Sequence, residues 1–342
     1  MNASALTTDC LVFDVGGTHL RAGLYRAASS TVERLLSTAT PNVWTIPEAT
    51  QETVRLRLLE EMWRLSVGVL RGRSPAYVCV AFAGPVDTRG RVLAAPTIWG
   101  STLGPPLDLL DCLQRRWPAA RIVVMNDVAA AGYRYRRHAN EDFCIVTVSS
   151  GIGNKVFLNG HPILGDGGRG GEIGHVRVDF SPDALLCDCG AVGHLGAVAS
   201  GRGTLALARC LARRDPEAFA NSSLGQRFLG HVEDLENPDL VEAFHAGDPW
   251  TLGLIRDTAR PLGQMLAGIH LSLGIDRFIL IGGFALALGE PYRREVASAA
   301  SGCEWDTGED WQVMLELGVP DDQAGLIGAG RFALESSRSH DL

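Results

Sequence analysis

The chain is organised around residues 171–200, which read GEIGHVRVDFSPDALLCDCGAVGHLGAVAS. Within this stretch two histidines and two cysteines follow the pattern H-x11-C-x-C-x4-H: His175, Cys187, Cys189 and His194. Thiolates and imidazoles are ligands of tetrahedral zinc, and four protein ligands leave no open position, which is typical of a structural ion. The alternative is a loop with two free cysteines and two surface histidines, because a C-x-C ring is too small for a relaxed disulfide. The spacing favours a structural zinc site, and Glu172 lies shortly before its first ligand.

Length and composition indicate an ordinary globular protein. The chain has 342 residues, of which 46% are hydrophobic and 20% charged, and this is enough for two domains with separate cores. Its formal net charge of −8 argues against a nucleic-acid partner, since such proteins carry a basic face. No apolar run reaches the roughly 18 residues of a membrane-spanning helix, and the first residues lack the pattern of a signal peptide.

The numbers and positions of the cysteines and of the lysine are also informative. The eight cysteines are scattered apart from Cys187 and Cys189, which suits a reducing compartment. We therefore expect a cytoplasmic protein with no membrane and no nucleic-acid partner. Lys155 is the only lysine of the chain, and we interpret this as a compositional bias that carries no information about a site.

A glycine turn between two apolar runs occurs once in each half of the chain. The first is Asp14-Val15-Gly16-Gly17-Thr18, after Leu11–Phe13, and the second is Ser149–Gly153, after Phe143–Val148. Strand, turn, strand is the natural interpretation of both. Glycines let backbone N–H groups approach a phosphate, and a carboxylate such as Asp14 can hold a Mg²⁺-bound water. A ligand-free hairpin would have the same sequence, but the repetition suggests a duplicated domain with two phosphate loops.

Further motifs lie at the ends of predicted buried strands. Arg121–Met125 ends in Asn126-Asp127, where a helix of small residues begins. A carboxylate at the C-terminal end of a parallel strand lies where α/β sheets place their chemistry, although Asp127 could instead only cap the helix. Near the C-terminus, the strand Arg277–Ile281 is closed by Gly282-Gly283, and Asp321–Leu334 predicts a closely packed helix.

Together these motifs resemble the ROK family of sugar kinases, which shares the duplicated actin-like ATPase fold of hexokinases. They occur in the family's order over almost the whole chain: Asp14–Thr18, Ala83–Asp87, Asn126-Asp127, Ser150–Gly153, Gly171–His175, Cys187–Gly193, Ala199–Gly201, Gly282-Gly283 and Ala324–Ala329. The resemblance implies an α/β fold of the hexokinase type, with two domains flanking a cleft. We expect one domain at residues 1–128, joined by a C-terminal helix at 321–335, and a second at 129–320 with the zinc-bound loop.

The resemblance also implies an ATP-dependent kinase. Asp127 is expected to be the catalytic base that accepts the proton of the attacking hydroxyl. The residues expected to contact the substrate are Gly84, Thr97, Asn126, Asp127, Glu172 and His175. Those expected to hold ATP and its Mg²⁺ are Asp14, Gly16, Gly17, Thr18, Ser150, Gly151, Gly153, Gly282 and Gly283. His175 would use one ring nitrogen for the substrate and the other for zinc, which fixes its tautomer.

Three residues depart from the family pattern. His194 replaces a third cysteine, which retains zinc as a Cys2His2 site, and Thr97 replaces an asparagine. Gly196 stands where the family has a glutamate that reaches the anomeric side of the sugar ring. A buried carboxylate that faces a group without a donor is costly. Its loss therefore favours a substrate with a carbonyl, a substituent or extra bulk at that position.

These departures favour a kinase for the primary hydroxyl of an unusual sugar-like molecule. Two substrates known from antibiotic pathways fit Gly196: a C7-cyclitol of the valiolone type and an amino sugar of the kanosamine type. The cyclitol fits better, because its ring ketone cannot donate to a carboxylate. The alternatives are a glucokinase or N-acetylmannosamine kinase and, in another class, a non-catalytic sugar-sensing regulator. By analogy with the family we expect a homo-oligomer, a dimer or a tetramer.

Overall fold

The structure, a computed structural model, describes residues 9–46, 48–100, 104–165, 167–302, 305 and 308–338. It contains two compact units. The first comprises Met1–Ala139, Pro162–Gly170 and Gln323–Leu342, and the second comprises Asn140–His161 and Gly171–Asp322. The first unit continues past residue 128, where the sequence predicts a boundary, because the helix after Asn126 packs against the last helix of the chain.

A five-stranded sheet in the order β3-β2-β1-β4-β7 forms the centre of the first unit. The strands of this unit, including two short ones, are β1 (Asp9–Val15), β2 (His19–Arg26), β3 (Thr31–Ala39), β4 (Tyr77–Phe82), β5 (Arg91–Val92), β6 (Leu107–Asp108) and β7 (Arg121–Asn126). β1 pairs antiparallel with β2 and parallel with β4, which pairs parallel with β7. β5 and β6 form a separate two-stranded sheet.

Alternate side chains of β1 enter two different hydrophobic clusters, because successive residues of a strand point to opposite faces. Leu11 and Phe13 belong to the cluster that includes helix α1 (Gln51–Leu70). Cys10 and Val12 belong to the cluster that includes the C-terminal helix. Both faces of the sheet are therefore covered, as expected for buried parallel strands.

The remaining helices of the first unit are α2 (Pro96–Trp99), α3 (Leu109–Arg116), α4 (Asp127–Tyr135) and α13 (Ala324–Arg338). α13 and α4 approach so closely that a Cβ at Gly328 would stand 1.8 Å from the carbonyl oxygen of Ala130. The close packing expected for this small-residue helix is present, although the helix begins at Ala324 and not at Asp321.

The second unit has a sheet of the same plan, in the order β10-β9-β8-β11-β12. Its strands are β8 (Phe143–Val148), β9 (Ile152–Leu158), β10 (His161–Pro162), β11 (Phe278–Ile281) and β12 (Leu315–Leu317). β8 pairs antiparallel with β9 and parallel with β11, which pairs parallel with β12. In each unit the central strand thus pairs antiparallel with the next strand and parallel with a later one, which is the duplication that the two glycine turns predict.

Helices complete the second unit: α5 (Leu195–Ala199), α6 (Gly201–Arg214), α7 (Pro216–Ala220), α8 (Ser223–Phe228), α9 (Asn237–His245), α10 (Pro249–Leu273), α11 (Gly283–Ser301) and α12 (Trp311–Met314). α10 and α11 pack against each other and share a hydrophobic cluster with β8 and β11. Among the described residues, no helix combines the length and apolar character needed to cross a membrane.

Candidate active site and metal centre

The four residues of the predicted zinc series meet in the second unit. These residues are His175, Cys187, Cys189 and His194, and their donor atoms all lie within 4.8 Å of one another. Cys189 Sγ is 3.3 Å from His194 Nδ1, and Cys187 Sγ is 3.9 Å from His175 Nδ1. A single ion can therefore contact all four, and a set of two thiolates and two imidazoles suits zinc.

A backbone hydrogen bond and the surroundings of His194 both favour metal binding by these side chains. Cys187 N–H donates to Ala191 O at 2.7 Å, which closes the tight turn that holds both cysteines. Burial, with smaller contributions from the charges of His175 and Arg177, lowers the pKa of His194 and so favours the neutral imidazole that binds a metal. Both histidines approach a thiol through Nδ1, which leaves Nε2 of His175 for another partner.

The segment 171–175, which precedes the metal turn, lies on strand β9. Gly171 has φ 80°, and a Cβ there would stand 2.3 Å from the carbonyl oxygen of Asn154, so only glycine permits this approach. Asn154 N–H donates to Gly171 O, and Ile173 N–H donates to Asn154 Oδ1 at 3.2 Å. Strand β9 thus holds the backbone that carries the predicted substrate residues of this unit.

Gly196, in α5, faces the same segment. A Cβ at this position would stand 3.2 Å from the carbonyl oxygen of Gly174 and 3.9 Å from the nitrogen of Ile152. Gly174 lies between Glu172 and His175 in the chain. A side chain at position 196 would therefore begin beside the predicted substrate residues.

In the first unit, Asn126 and Asp127 join β7 to α4. Asn126 is the N-cap of α4, since its Oδ1 accepts hydrogen bonds of 3.0 Å from Val128 N–H and Ala129 N–H. Its Nδ2 donates to Gly84 O and to Asp127 Oδ1, each at 3.0 Å. These four bonds use both donors and both lone pairs of the amide. Asn126 is therefore the N-cap, and Asp127 is the first helical residue, whose Oδ1 accepts both from Asn126 Nδ2 and from Val128 N–H at 2.9 Å.

The first glycine turn is a closed hairpin turn in which Gly16 N–H donates to His19 O at 3.0 Å. Thr97 in α2 lies against this turn, because a Cβ at Gly17 would stand 2.8 Å from Thr97 Oγ1. Thr18 is exposed. The structure thus brings the predicted phosphate turn and the predicted substrate residue Thr97 together within the first unit.

Asp14 lies between an arginine and the first turn of α13. Its Oδ2 is 3.3 Å from Arg21 Nη1, and a Cβ at Gly325 would stand 3.2 Å from its Oδ1. A guanidinium and a helix N-terminus both stabilise a negative charge. The surroundings of Asp14 are therefore suited to a carboxylate beside a phosphate turn.

The second glycine turn covers Ser149–Gly151. Ser149 N–H donates to Gly151 O at 2.9 Å, and Gly201 N–H, at the start of α6, donates to Ser149 O at 2.8 Å. Gly282, with φ 99°, lies beside this turn, because its Cβ would stand 2.5 Å from Val148 O. Ser150 at the tip is exposed.

Two glycines expected in turns lie in regular structure instead. Gly153 pairs with Thr147 in the ladder between β8 and β9, and Gly283 is the first residue of α11. The second turn is therefore shorter than the sequence suggests, because the antiparallel ladder begins already at Ile152.

The predicted site residues divide between the two units. The first unit holds Asp14, Gly16, Gly17, Thr18, Gly84, Thr97, Asn126 and Asp127, and the second holds Ser150, Gly151, Gly153, Glu172, His175, Gly282 and Gly283. The sequence interpretation missed Lys155, which contacts Glu172. A lysine inside an apolar strand is a usable signal, since buried lysines require a partner.

Comparison with solved structures defines the class of protein. The structure resembles a ROK family glucokinase from Streptomyces griseus in complex with glucose and AMPPNP, with a TM-score of 0.75 and 28% identity over 96% of this chain and 99% of that chain. It also resembles a ROK hexokinase from Thermus thermophilus, with a TM-score of 0.69 and 24% identity over 97% of this chain and 99% of that chain. The predicted duplicated hexokinase-type α/β fold is confirmed.

Sequence comparison is more specific. The model of the ROK family matches residues 10–336, and the chain belongs to the ROK family. It is 39% identical over 330 residues, 95% of this chain and 93% of the relative, to a C(7)-cyclitol 7-kinase from Streptomyces hygroscopicus subsp. jinggangensis. It is 28% identical over 351 residues, 94% of this chain and 92% of the relative, to a 2-epi-5-epi-valiolone 7-kinase from an Actinoplanes species. The predictions of the family and of a sugar or cyclitol kinase are confirmed.

Proposed function

We propose that this protein is an ATP-dependent kinase that phosphorylates the exocyclic primary hydroxyl of a neutral or amino-substituted sugar-like ring, with a C7-cyclitol as the main substrate. The observation that carries the proposal is the 39% identity over 95% of the chain to a C(7)-cyclitol 7-kinase. Gly196 supports it, because the position beside Glu172 and His175 lacks the carboxylate that would suit a glucose hydroxyl.

Asp127 is the proposed catalytic base. Phosphoryl transfer needs a group that accepts the proton of the attacking hydroxyl and orients it, and strong basicity is not required. Asp127 sits at the strand end where α/β sheets place such groups, and Asn126 directs its carboxylate. The four bonds of the Asn126 amide make it a positioning residue for Asp127 in this proposal, and the substrate contact expected for it from the sequence stays a prediction.

Glu172 and His175 are the proposed contacts to the ring hydroxyls, and the Cys2His2 centre supports them. Zinc bound by the four ligands would fix His175 through Nδ1, so that its Nε2–H can donate to a hydroxyl. The ion would act on structure only, since four protein ligands leave no position for a substrate oxygen.

The turns at Gly16–Thr18 and Ser149–Gly151 are the proposed phosphate contacts, through the hydroxyls of Thr18 and Ser150 and through backbone N–H groups other than those of Gly16 and Ser149, which bond within the turns. Asp14 would hold Mg²⁺ through water. Gly282 would lie beside the nucleoside, as the family resemblance implies, and the carbonyl oxygen of Val148 leaves no room for a side chain at this position.

An ADP-release assay across hexoses, amino sugars and C7-cyclitols tests the proposal, with Asp127→Asn as the matched inactive control. We expect the largest kcat/KM for a valiolone-type cyclitol. Largest activity with glucose or N-acetylmannosamine would replace the cyclitol assignment, and binding of a sugar without any ADP release would favour the non-catalytic regulator. The predicted homo-oligomer, cytoplasmic location and role in an antibiotic pathway stay predictions.

A further inference from the structure

Lys155, the only lysine in 342 residues, is a buried cation beside a proposed substrate residue. Its side chain is 1% exposed, and it stands in β9 between the buried residues Asn154 and Val156. Its Nζ lies 3.1 Å from Glu172 Oε1 and donates to Gly171 O at 3.2 Å. A buried ammonium is tolerated only when it is paired and hydrogen-bonded. The burial of Lys155 therefore fixes the position of the Glu172 carboxylate.

Glu172 itself remains accessible, since its side chain is 34% exposed. Among the described residues, the structure gives its carboxylate no hydrogen-bond partner other than Lys155. A carboxylate has about four acceptor positions, so several are left for the hydroxyls of a substrate. Lys155 thus orients Glu172 from the protein side and leaves its outer side to a ligand.

The pair also sets the charge that a ligand meets. An unpaired carboxylate attracts an ammonium group strongly, whereas a carboxylate with a cation 3.1 Å away presents little net charge. A hydroxyl can still donate a hydrogen bond to such a paired carboxylate. An ammonium group, in contrast, loses most of the electrostatic attraction that an unpaired carboxylate would give it. The Lys155–Glu172 pair therefore fits a neutral hydroxyl better than an amine.

We propose that Lys155 is a positioning and specificity residue that makes the Glu172 side of the substrate site selective for neutral polyols over amino sugars. This inference rests on the proposed function and deepens it. Gly196 is compatible with both a neutral cyclitol and an amino sugar as the substrate. The Lys155–Glu172 pair favours the neutral cyclitol.

The test compares wild type with Lys155→Met, which keeps an unbranched side chain one atom shorter and removes the charge. The ligands are a valiolone-type cyclitol, glucose, and the three glucose analogues with an amine at C2, C3 or C4. We expect KM for the neutral ligands to rise about tenfold with a smaller change in kcat. The kcat/KM ratio of at least one amino analogue to its neutral parent should rise about tenfold, because Glu172 becomes an unpaired anion.

Two controls separate specificity from simple loss of structure. Lys155→Met combined with Glu172→Gln restores neutrality, and the gain for the amino analogue should disappear. Arg293→Met removes another buried cation of the second unit, one that pairs with Glu290 at 2.7 Å, and should leave the amine-to-neutral ratio unchanged. An equal loss for amino and neutral ligands in Lys155→Met would assign Lys155 to structure alone and overturn the proposal.

A second measurement needs no variant. Protein grown with ¹³Cε-lysine gives one lysine signal, which reports on Lys155 alone. We expect this signal to shift when a neutral polyol saturates the protein without ATP, with saturation established by calorimetry. Turnover of a neutral polyol with an unmoved lysine signal contradicts this inference only. Absence of binding by every neutral polyol contradicts both this inference and the proposed function.

Discussion

Asn126 Nδ2 donates a hydrogen bond of 3.0 Å to Asp127 Oδ1, while Asn126 Oδ1 caps the helix that Asp127 begins. One side chain thus anchors the helix and aims the neighbouring carboxylate. The sequence alone leaves capping and chemistry open for Asp127, whereas in the structure Asn126 is the N-cap and Asp127 Oδ1 shares the N–H of Val128 with it. The arrangement also makes the two residues testable independently.

The first prediction concerns Asp127. Asp127→Asn keeps the shape of the side chain and removes the proton acceptor, so we expect kcat to fall at least about 10²-fold with little change in substrate binding. Steady-state kinetics together with calorimetric titration of the substrate check both parts.

Asp215→Asn is the matched control for this change, because Asp215 caps α7 by accepting from Ala218 N–H. It should leave kcat unchanged. If Asp127→Asn behaved like Asp215→Asn, Asp127 would have no role in the chemistry.

The second prediction concerns Asn126. Asn126→Ala removes the cap and the donor to Asp127, so we expect a stability loss of about 1 kcal/mol and a fall in kcat of about tenfold. Thermal unfolding and kinetics measure the two effects. Ser222→Ala removes the cap of α8, where Ser222 accepts from Gly225 N–H, and should reproduce the stability loss without the kinetic one. Unchanged kcat in Asn126→Ala would show that Asp127 is oriented without it.

The third prediction concerns the metal. We expect about one zinc per chain by elemental analysis of protein never exposed to a chelator, because four donor atoms lie within 4.8 Å of one another. His194→Cys should retain the metal and His194→Ala should lose it. Chelation should weaken substrate binding more than nucleotide binding, since the ion supports His175. Less than about half an equivalent of zinc in wild type would count against the site.

The positions of the proposed catalytic and metal-binding residues in the fold could be anticipated from sequence because they depend on local pattern. Asn126 and Asp127 follow an apolar strand, and Cys187 and Cys189 lie in one tight turn, so neighbours along the chain decide their geometry. The bond between Asn126 and Gly84 could not be anticipated, because it joins residues from different strand ends.

Lys155 shows the limit of the sequence interpretation most clearly. Its contact with Glu172 depends on how segment 171–175 folds back onto β9, and no local pattern encodes that distance. The sequence interpretation assigns the C-terminal helix to the first unit but ends the main segment of that unit at residue 128. The continuation to residue 139 depends on the packing of α13 on α4, a contact between distant segments that no local pattern encodes.

The fourth prediction concerns Gly196. Gly196→Glu should weaken a valiolone-type cyclitol, because an unpaired buried carboxylate costs about 1–3 kcal/mol, and should favour glucose, whose anomeric hydroxyl can donate to it. The control is Gly196→Ala, since a Cβ already stands 3.2 Å from Gly174 O and crowding must be separated from charge. Equal effects of alanine and glutamate on both substrates would remove Gly196 from the specificity argument.

The proposed function requires that the chain prefers a C7-cyclitol over glucose as the phosphoryl acceptor. An internal competition tests it most directly, with equimolar cyclitol and glucose, limiting ATP and product quantification by mass spectrometry and ³¹P NMR. Because the product ratio equals the ratio of the two kcat/KM values, no assumption about saturation is needed. We expect the cyclitol phosphate to exceed glucose phosphate at least about tenfold, with its phosphorus coupled to the exocyclic methylene protons. A majority of glucose phosphate, or a cyclitol phosphorylated on a ring hydroxyl, would contradict the account.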